Sequence, residues 1–309
     1  MTSQHQMPLV VIILLNWNGY KDTLACLDSL AGIDYPNYQI VIIDNGSENE
    51  SVAKIRAAHP DLQLEEAEEN LGFVGGNNLG MQIAEELNAD YILLLNNDTE
   101  VAPQFLSLMV EAAESDSQIG VVGPLIYYYE QPEMVWSAGG KIDWQRGDTF
   151  MIGLNEVDDG QFGDESCPVD FVTGCALLIK MQVVQQVGMM DPRFFAYFEE
   201  TEWCVRVRRA GYKILHVPQA KIWHKISIVQ RDATPYVVYY MTRNRLLFLK
   251  LTNANLVSWI NTLKSMLRTL LAWTLKPKWR HKRLQRNAVI KGIIDYLVAR
   301  WGKYEAKAG

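Results

Sequence analysis

The feature that most constrains this chain is a unit repeated through its first 120 residues: a short apolar run, a polar cluster, then a helical pattern. The runs are Leu9–Leu15, Gln39–Ile43, Tyr91–Leu95 and Ile119–Val122. Three of the four are continuous, not alternating, as expected for parallel strands covered on both faces. Residues Lys21–Leu30, Glu50–Ala58, Asn77–Leu87 and Pro103–Glu114 carry the intervening helical periodicity. Pro103 suits a first-turn position, with Thr99 or Glu100 near enough to help cap. This order predicts an α/β fold, a Rossmann-like open and mostly parallel sheet with flanking helices. Ligand sites are then expected beyond the C-terminal ends of the strands.

At 309 residues the chain can form one large domain or two ordinary ones without covalent staples. Its four cysteines (Cys26, Cys167, Cys175, Cys204) form no CxxC pair and have no nearby histidine, which argues against a structural zinc or disulfide scaffold and for a reducing cytoplasm. Leu9–Leu15 has no basic stretch before it and no small-residue cleavage site after it, so it reads as a buried strand, not a secretory leader. The uncharged stretch Leu251–Leu263 is too short to span a bilayer as a helix.

Net charge is −7, but unevenly spread. From Arg243 onward fifteen Lys/Arg face only Asp295 and Glu305, which leaves an acidic body with a basic tail suited to phosphate groups. No recognised nucleic-acid module accompanies the basic residues, so nucleic acid is not the expected partner.

Between Leu125 and Cys167 the chain is Gly-rich and aromatic, with turn signals at Gly139-Gly140 and Asp158–Gly160 that predict a hairpin and a mobile loop. A strand over Ala176–Ile179, a short helix ending near Gly188, an aromatic segment Phe194–Phe198, a helix from Glu199 to Ala210 and a strand over Tyr212–Val217 follow. From Tyr236 the pattern is helical. Leu256, Trp259, Ile260, Leu263, Met266, Leu267 and Leu270 fall on one stripe, and the basic cluster Lys276–Arg286 follows it.

Four polar clusters follow strands or precede a helix in the first half: Asn16–Gly19, Asp44–Ser47, Asn70–Asn78 and Asn96–Asp98. Singly, each reads as ordinary turn chemistry. Together, in a doubly wound sheet, they converge on one crevice, and Asn16, Asn18, Asp44, Asn45, Asn70, Gly72, Gly76, Asn77 and Asn97 become candidates for holding a nucleotide. Asp44 suits a base N–H or a ribose hydroxyl; the glycines at 72, 75 and 76 allow close backbone approach, and the helix after them offers N–H groups to phosphate. No GxxxxGK[ST] loop is present, and no GxGxxG follows the first strand, which weakens P-loop and dinucleotide readings.

Asn96 and Asp98, two apart at a strand end, suit a hard divalent cation bridging a diphosphate. One carboxylate binds Mg²⁺ or Mn²⁺ weakly, so His224 enters as a candidate further ligand, and a histidine favours Mn²⁺. A structural histidine stays open as the other reading. Glu199, Glu200 and Glu202 open a helix after an aromatic stretch. Helix-dipole and Glu202–Arg206 pairing account for one or two of them, and crowding among aromatics raises the pKa of the remainder toward use as a base.

The segments NWNGY (16–20), DNGS (44–47), NLGFVGGNNLG (70–80), LLLNNDTEV (93–101), TGCALLI (173–179) and DPRFFAYFEETEWCVRVRRAGYK (191–213) resemble the inverting family-2 glycosyltransferases of GT-A fold, and most closely their rhamnosyltransferase-like branch in bacterial surface polysaccharide synthesis. The resemblance spans roughly residues 8–250. It implies a catalytic domain over 1–235, with a nucleotide-binding half (1–120) and an acceptor half (121–235), and a basic helical extension over 236–309. It implies that Asp44 contacts base or ribose with Asn16 and the 70–78 segment around it. Asn96 and Asp98 would occupy the metal-motif positions, with His224 a later ligand to Mn²⁺ or Mg²⁺. Glu200, or its neighbour Glu199, would be the general base, and Thr173, Gly174 and Trp223 would line the sugar and acceptor pocket. Asn96 departs from the family's usual Asp, and Glu202-Trp203 from its usual Asp-Leu.

The expected reaction moves a sugar, with L-rhamnose from dTDP-rhamnose leading and UDP-sugars next, from a nucleoside-diphosphate donor to a saccharide or polyprenyl-linked glycan. A non-catalytic nucleotide-sugar-binding protein and a sugar nucleotidyltransferase are the rivals; the latter wants a Gly-rich basic loop where this chain has NWNGYKD. The expected location is cytoplasmic, or peripheral on the inner face of the plasma membrane, with 256–286 against anionic lipid. Packing of that stripe on the body, or a homo-oligomer interface, are its alternatives.

Overall fold

A computed structural model describes residues 7–227 and 233–304. The first half runs β1 (Val10–Asn16), α1 (Tyr20–Leu30), β2 (Tyr38–Asp44), α2 (Ser51–Ala58), β3 (Gln63–Glu66), α3 (Gly72–Glu86), β4 (Tyr91–Asn96), β5 (Thr99–Val101) and α4 (Phe105–Glu114). The second runs β6 (Ile119–Tyr128), β7 (Gln131–Ser137), β8 (Gly140–Asp143), β9 (Asp148–Met151), β10 (Cys167–Pro168), β11 (Ala176–Lys180), α5 (Met181–Val187), α6 (Glu199–Arg209) and β12 (Lys213–His224). Three long helices close the chain: α7 (Pro235–Leu251), α8 (Leu256–Leu275) and α9 (Arg283–Leu297), with a 3₁₀ turn at Pro277–Lys282.

Among the described residues, ten strands form one sheet in the order β10-β12-β6-β11-β4-β1-β2-β3, with β5 on β12 and β7 on β6. The β3-β2-β1-β4 block is parallel, as the continuous apolar runs require. The other half is mixed, because β11 enters antiparallel between β4 and β6. Side-chain alternation along β1 sorts two cores. Val11 and Ile13 pack on the side of α3, α6 and α7, while Val10, Ile12 and Leu14 pack on the side of α1 and α4. Leu247, Phe248 and Leu249 are fully buried, so α7 is part of the first core.

Several local expectations are corrected. The Gly-rich stretch expected before the third helix is inside it, since α3 starts at Gly72. Gly76 and Gly80 are there for packing: a Cβ would lie 2.3 Å from Leu15 and 2.5 Å from Ile13. Pro103 precedes α4, whose N-cap is Gln104, and Thr99 lies in β5. The strand expected over Tyr212–Val217 continues to His224, and this extension brings β12 alongside β5.

Candidate functional site

The parallel pairing of β1 with β2 sets Asn16 opposite Asp44 at the strand ends. Both are buried, and their side chains are fixed by one another. Asn16 Nδ2 donates to Asp44 Oδ1 (2.6 Å), and Asn16 Oδ1 accepts from the Thr23 hydroxyl (2.9 Å). Asp44 also accepts from the Ser47 hydroxyl (2.7 Å) and backbone N–H (2.9 Å). Asn18, in the left-handed region at φ 57°, donates its N–H to Ser47 Oγ (2.8 Å), and its Oδ1 accepts from the Glu48 N–H (2.9 Å). Beside this lip is a cleft of roughly 240 Å³ lined by Trp17, Asp44, Ser47, Glu66, Asn70 and Lys303 among others. Trp17 is 57% exposed there, an aromatic face in open reach of a ligand. Lys303, from the end of the chain, was not among the residues expected at this place. A larger cleft, about 570 Å³, opens at the opposite end of the sheet by Pro8, Asp90 and Lys180 and holds none of the expected site residues.

Asn45 ties the lip to α3. Its amide donates to the Gly72 carbonyl (3.0 Å), and its Oδ1 accepts from the Leu71 N–H (2.9 Å); Asn70 Oδ1 accepts from the Gly72 N–H (2.8 Å). Gly72 has φ 76°, and a Cβ there would lie 2.6 Å from the Phe195 carbonyl oxygen, so the aromatic segment sits directly on the start of α3. The Val74 N–H donates to that same carbonyl (3.1 Å). The close approach these glycines permit is therefore to protein. Asn77 is buried, and its amide donates to the Phe73 carbonyl of its own helix (2.8 Å).

At the end of β4, Asn97 turns toward β1 and donates to the Thr23 hydroxyl (2.8 Å). Asp98 turns the other way. Antiparallel pairing of β5 with β12 sets Thr99 opposite His224, and the Lys225 N–H donates to the Asp98 carbonyl (2.8 Å). This brings Asp98 Oδ1 within 3.1 Å of His224 Nε2. Burial pulls the His224 imidazole down, but Cys175 and Asp98 beside it prevail and push it up to about 10. Burial raises the Asp98 carboxyl, and His224 outweighs that and holds it below the usual range. Trp136 meets the His224 ring edge-on at 4.7 Å. Trp136 carried no sequence signal for this place, because it arrives by strand pairing remote in sequence, whereas Cys175 follows Thr173 and Gly174 in the quoted TGCALLI segment.

Two ligand atoms about 2.1 Å from one cation and at right angles to each other lie roughly 3 Å apart, so the Asp98–His224 spacing fits a shared divalent ion. His224 Nδ1, on the other side of the ring, is also buried with no hydrogen-bond partner among the described residues. No group of three or more His, Cys, Asp or Glu able to hold a metal occurs among those residues. Asn96 is half-buried at the same strand end, where its N–H donates to the Cys175 carbonyl (2.8 Å). The segment before β11 closes this side. Thr173 Oγ1 accepts from the Cys175 N–H (3.0 Å), and a Cβ at Gly174 would lie 2.7 Å from the Phe73 ring. Trp223 points to the opposite face of β12 from His224 and stacks on Tyr127 at 6.1 Å.

The carboxylates of α6 divide as their surroundings dictate. Glu202 is bonded by Arg206 Nε (3.0 and 3.1 Å), so its role is structural. Glu199 Oε2 and Glu200 Oε2 are buried without a hydrogen-bond partner. Burial pushes Glu200 up to about 7; burial and then the charge of Glu200 push Glu199 well above the carboxylate range. The segment before them is strained: Phe195, Tyr197 and Phe198 have φ 67°, 70° and 73°. Two residues of α7 hold it. Asn244 Nδ2 donates to the carbonyls of Phe194 (2.9 Å), Ala196 (2.6 Å) and Tyr197 (2.8 Å), and Arg243 Nη2 donates to those of Arg193 (3.0 Å) and Phe194 (2.8 Å). Arg243 is fully buried, far from the solvated tail position its charge suggested.

Known proteins resemble this chain in sequence and in fold. A profile of glycosyl transferase family 2 matches residues 10–168. The low-salt glycan biosynthesis hexosyltransferase Agl10 of Haloferax volcanii is 28% identical over 239 residues, 76% of this chain and 74% of that protein. The dTDP-rhamnosyl transferase RfbF of Shigella flexneri is 23% identical over 292 residues, 87% of this chain and 90% of that one. The crystal structure of GalNAc-T7 with UDP, GalNAc and Mn²⁺ matches with a TM-score of 0.62 at 17% identity, over 88% of this chain. This chain spans 59% of that structure's length, and the likeness is one of fold, the GT-A arrangement.

Proposed function

The chain belongs to glycosyl transferase family 2, and from that premise we propose that it is an inverting transferase moving a hexose from a nucleoside-diphosphate donor to a hydroxyl of a saccharide or polyprenyl-linked glycan. L-Rhamnose from dTDP-rhamnose is the proposed donor, supported by the similarity to a dTDP-rhamnosyl transferase over most of both chains. A lipid-linked acceptor implies work at the inner face of the plasma membrane. The observation that carries the reading is Glu200: a half-buried residue whose Oε2 is buried without a hydrogen-bond partner among the described residues, its carboxyl raised to about 7 by burial. Its loop rests on the same α3 start that Asn45 ties to the Asp44 lip. A pure binding protein has no use for such a group.

In this reading the cleft at Asp44 and Trp17 holds the nucleoside, with Asn16, Asn18, Asn45, Asn70 and Gly72 shaping its walls, and Thr173 and Gly174 border the sugar. Asp98 and His224 would hold a divalent cation, with Asn96 beside them; when bound, it would stabilise negative charge on the departing diphosphate. Glu200 takes the proton from the acceptor hydroxyl, and burial together with the charge of Glu200 pushes the neighbouring Glu199 carboxyl up, toward its neutral form. The acceptor oxygen forms its bond to the anomeric carbon as the bond from that carbon to the diphosphate oxygen breaks. The electron pair leaves with the nucleoside diphosphate, and configuration inverts. Residues 1–235 supply the donor and acceptor halves, and the helices after them support the base.

The Glu200→Gln variant tests this. Donor binding, read by thermal shift, is expected to survive while transfer falls about 10²–10⁴-fold. Transfer close to that of the parent chain would overturn the role.

A further inference from the structure

We infer that the outer face of α8 and α9 seats on an anionic lipid surface. The carrying observation is that α8 is inside out for a helix in water. Ser258 and Thr262 are fully buried, and their hydroxyls donate to the carbonyls of Trp144 and Arg146 in the β8–β9 turn. The leucines face outward: Leu256 is 72% exposed, Leu263 51%, Leu267 56% and Leu275 72%. They recur on one side of a helix about 30 Å long. On α9, Leu284 and Leu297 are also exposed. Of the expected stripe, Met266 and Trp259 turn toward the body, so packing there does not cover the rest. Hiding hydroxyls and showing leucines is unfavourable in water and calls for a second apolar phase.

The surrounding charge says which phase. Between residues 233 and 294 the sequence has no Asp or Glu. Lys264 and Arg268 flank the leucine row, and Lys276, Lys278, Arg280 and Arg283 are exposed around its C-terminal end. Trp273 and Trp279 lie there too, with the Lys282 ammonium 5.5 and 5.0 Å from their rings, a pairing suited to the headgroup boundary. A second copy docked by the same face across a two-fold axis would bring these cations against their own kind. An anionic leaflet receives both the leucines and the cations. No helix among the described residues is long and apolar enough to cross a membrane, so the seat lies in the plane of the surface.

The test uses the full chain without donor or acceptor, and so stands apart from the transfer reading. The protein is floated with vesicles of phosphatidylcholine alone or with roughly a third phosphatidylglycerol, at low and high salt. Partition onto the anionic vesicles is expected to exceed that onto neutral ones at least about tenfold at low salt, and to weaken at high salt. Leu263→Glu with Leu267→Glu should abolish binding while the far-UV spectrum stays that of the parent. Lys276→Gln, Lys278→Gln, Arg280→Gln and Arg283→Gln together should remove the preference for anionic lipid. Equal binding to both vesicle types, or binding unchanged by the two Glu substitutions, overturns the inference. So does a dimer in solution that those substitutions disperse and that binds no vesicle.

Discussion

The donor-side lip and the base-side loop are two ways of fixing a turn. At the lip, Asp44, Ser47, Asn16 and Asn18 satisfy each other across adjacent strands, and the left-handed residues are Asn18 and Gly46, types that tolerate that conformation. At the base loop three aromatic residues are left-handed, at roughly 1–2 kcal/mol each. The loop cannot satisfy its own carbonyls; Asn244 and Arg243 do so from a helix about fifty residues further along. The proposed donor lip is thus built from neighbours, whereas the proposed base relies on long-range support.

The contrast can be broken experimentally. The largest effect belongs to Asn244→Ala, which leaves the Ala196 and Tyr197 carbonyls without their donor at roughly 1–3 kcal/mol apiece, while the Phe194 carbonyl keeps Arg243. Chemical denaturation should show a loss of several kcal/mol. Turnover should fall at least about tenfold with KM for the donor little changed, because the damage reaches Glu200 through its loop. Asp44→Asn should do the reverse: donor affinity by calorimetry weakens about tenfold, near 1.4 kcal/mol, and turnover at saturating donor is kept. A matching fall in turnover for both variants would erase the distinction.

The smallest effect sharpens it through pH. Glu200 is raised from 4.5 to about 7, so the native state holds a proton there that the unfolded chain releases. Stability from that proton is fully present below about pH 4.5 and lost as pH rises through about 7. Melting curves should therefore show Glu200→Gln equal to the parent in acid and more stable above pH 7, by an amount on the order of 1 kcal/mol after allowance for partial exposure. Activity of the parent should rise through the same window as the base loses its proton.

Legibility in the sequence follows the same division. The apolar runs mark β1, β2, β4 and the start of β6 because each is buried on both faces, and the Asn/Asp clusters after them mark the lip. The start of α3 is hidden because its glycines argue for a loop. The packing of Gly72 against Phe195 and of Gly76 against Leu15, which outweighs poor helix propensity, is tertiary. The meeting of Asp98 with His224 depends on β12 reaching β5, which no local pattern encodes. Arg243 counts toward a basic tail by composition, yet it is buried at the centre of the loop's support. The exposed leucines of α8 show the converse, since periodicity finds a stripe without saying which way it faces.

The dependence of the base loop on Asn244 has a consequence for how the molecule comes into being. During synthesis the strand-end turns after β1 and β2 emerge early, while α7 leaves the ribosome much later. The carbonyls of the strained loop thus stay without their partners until the chain is nearly complete, and the setting of the proposed base is one of the last features folding can supply.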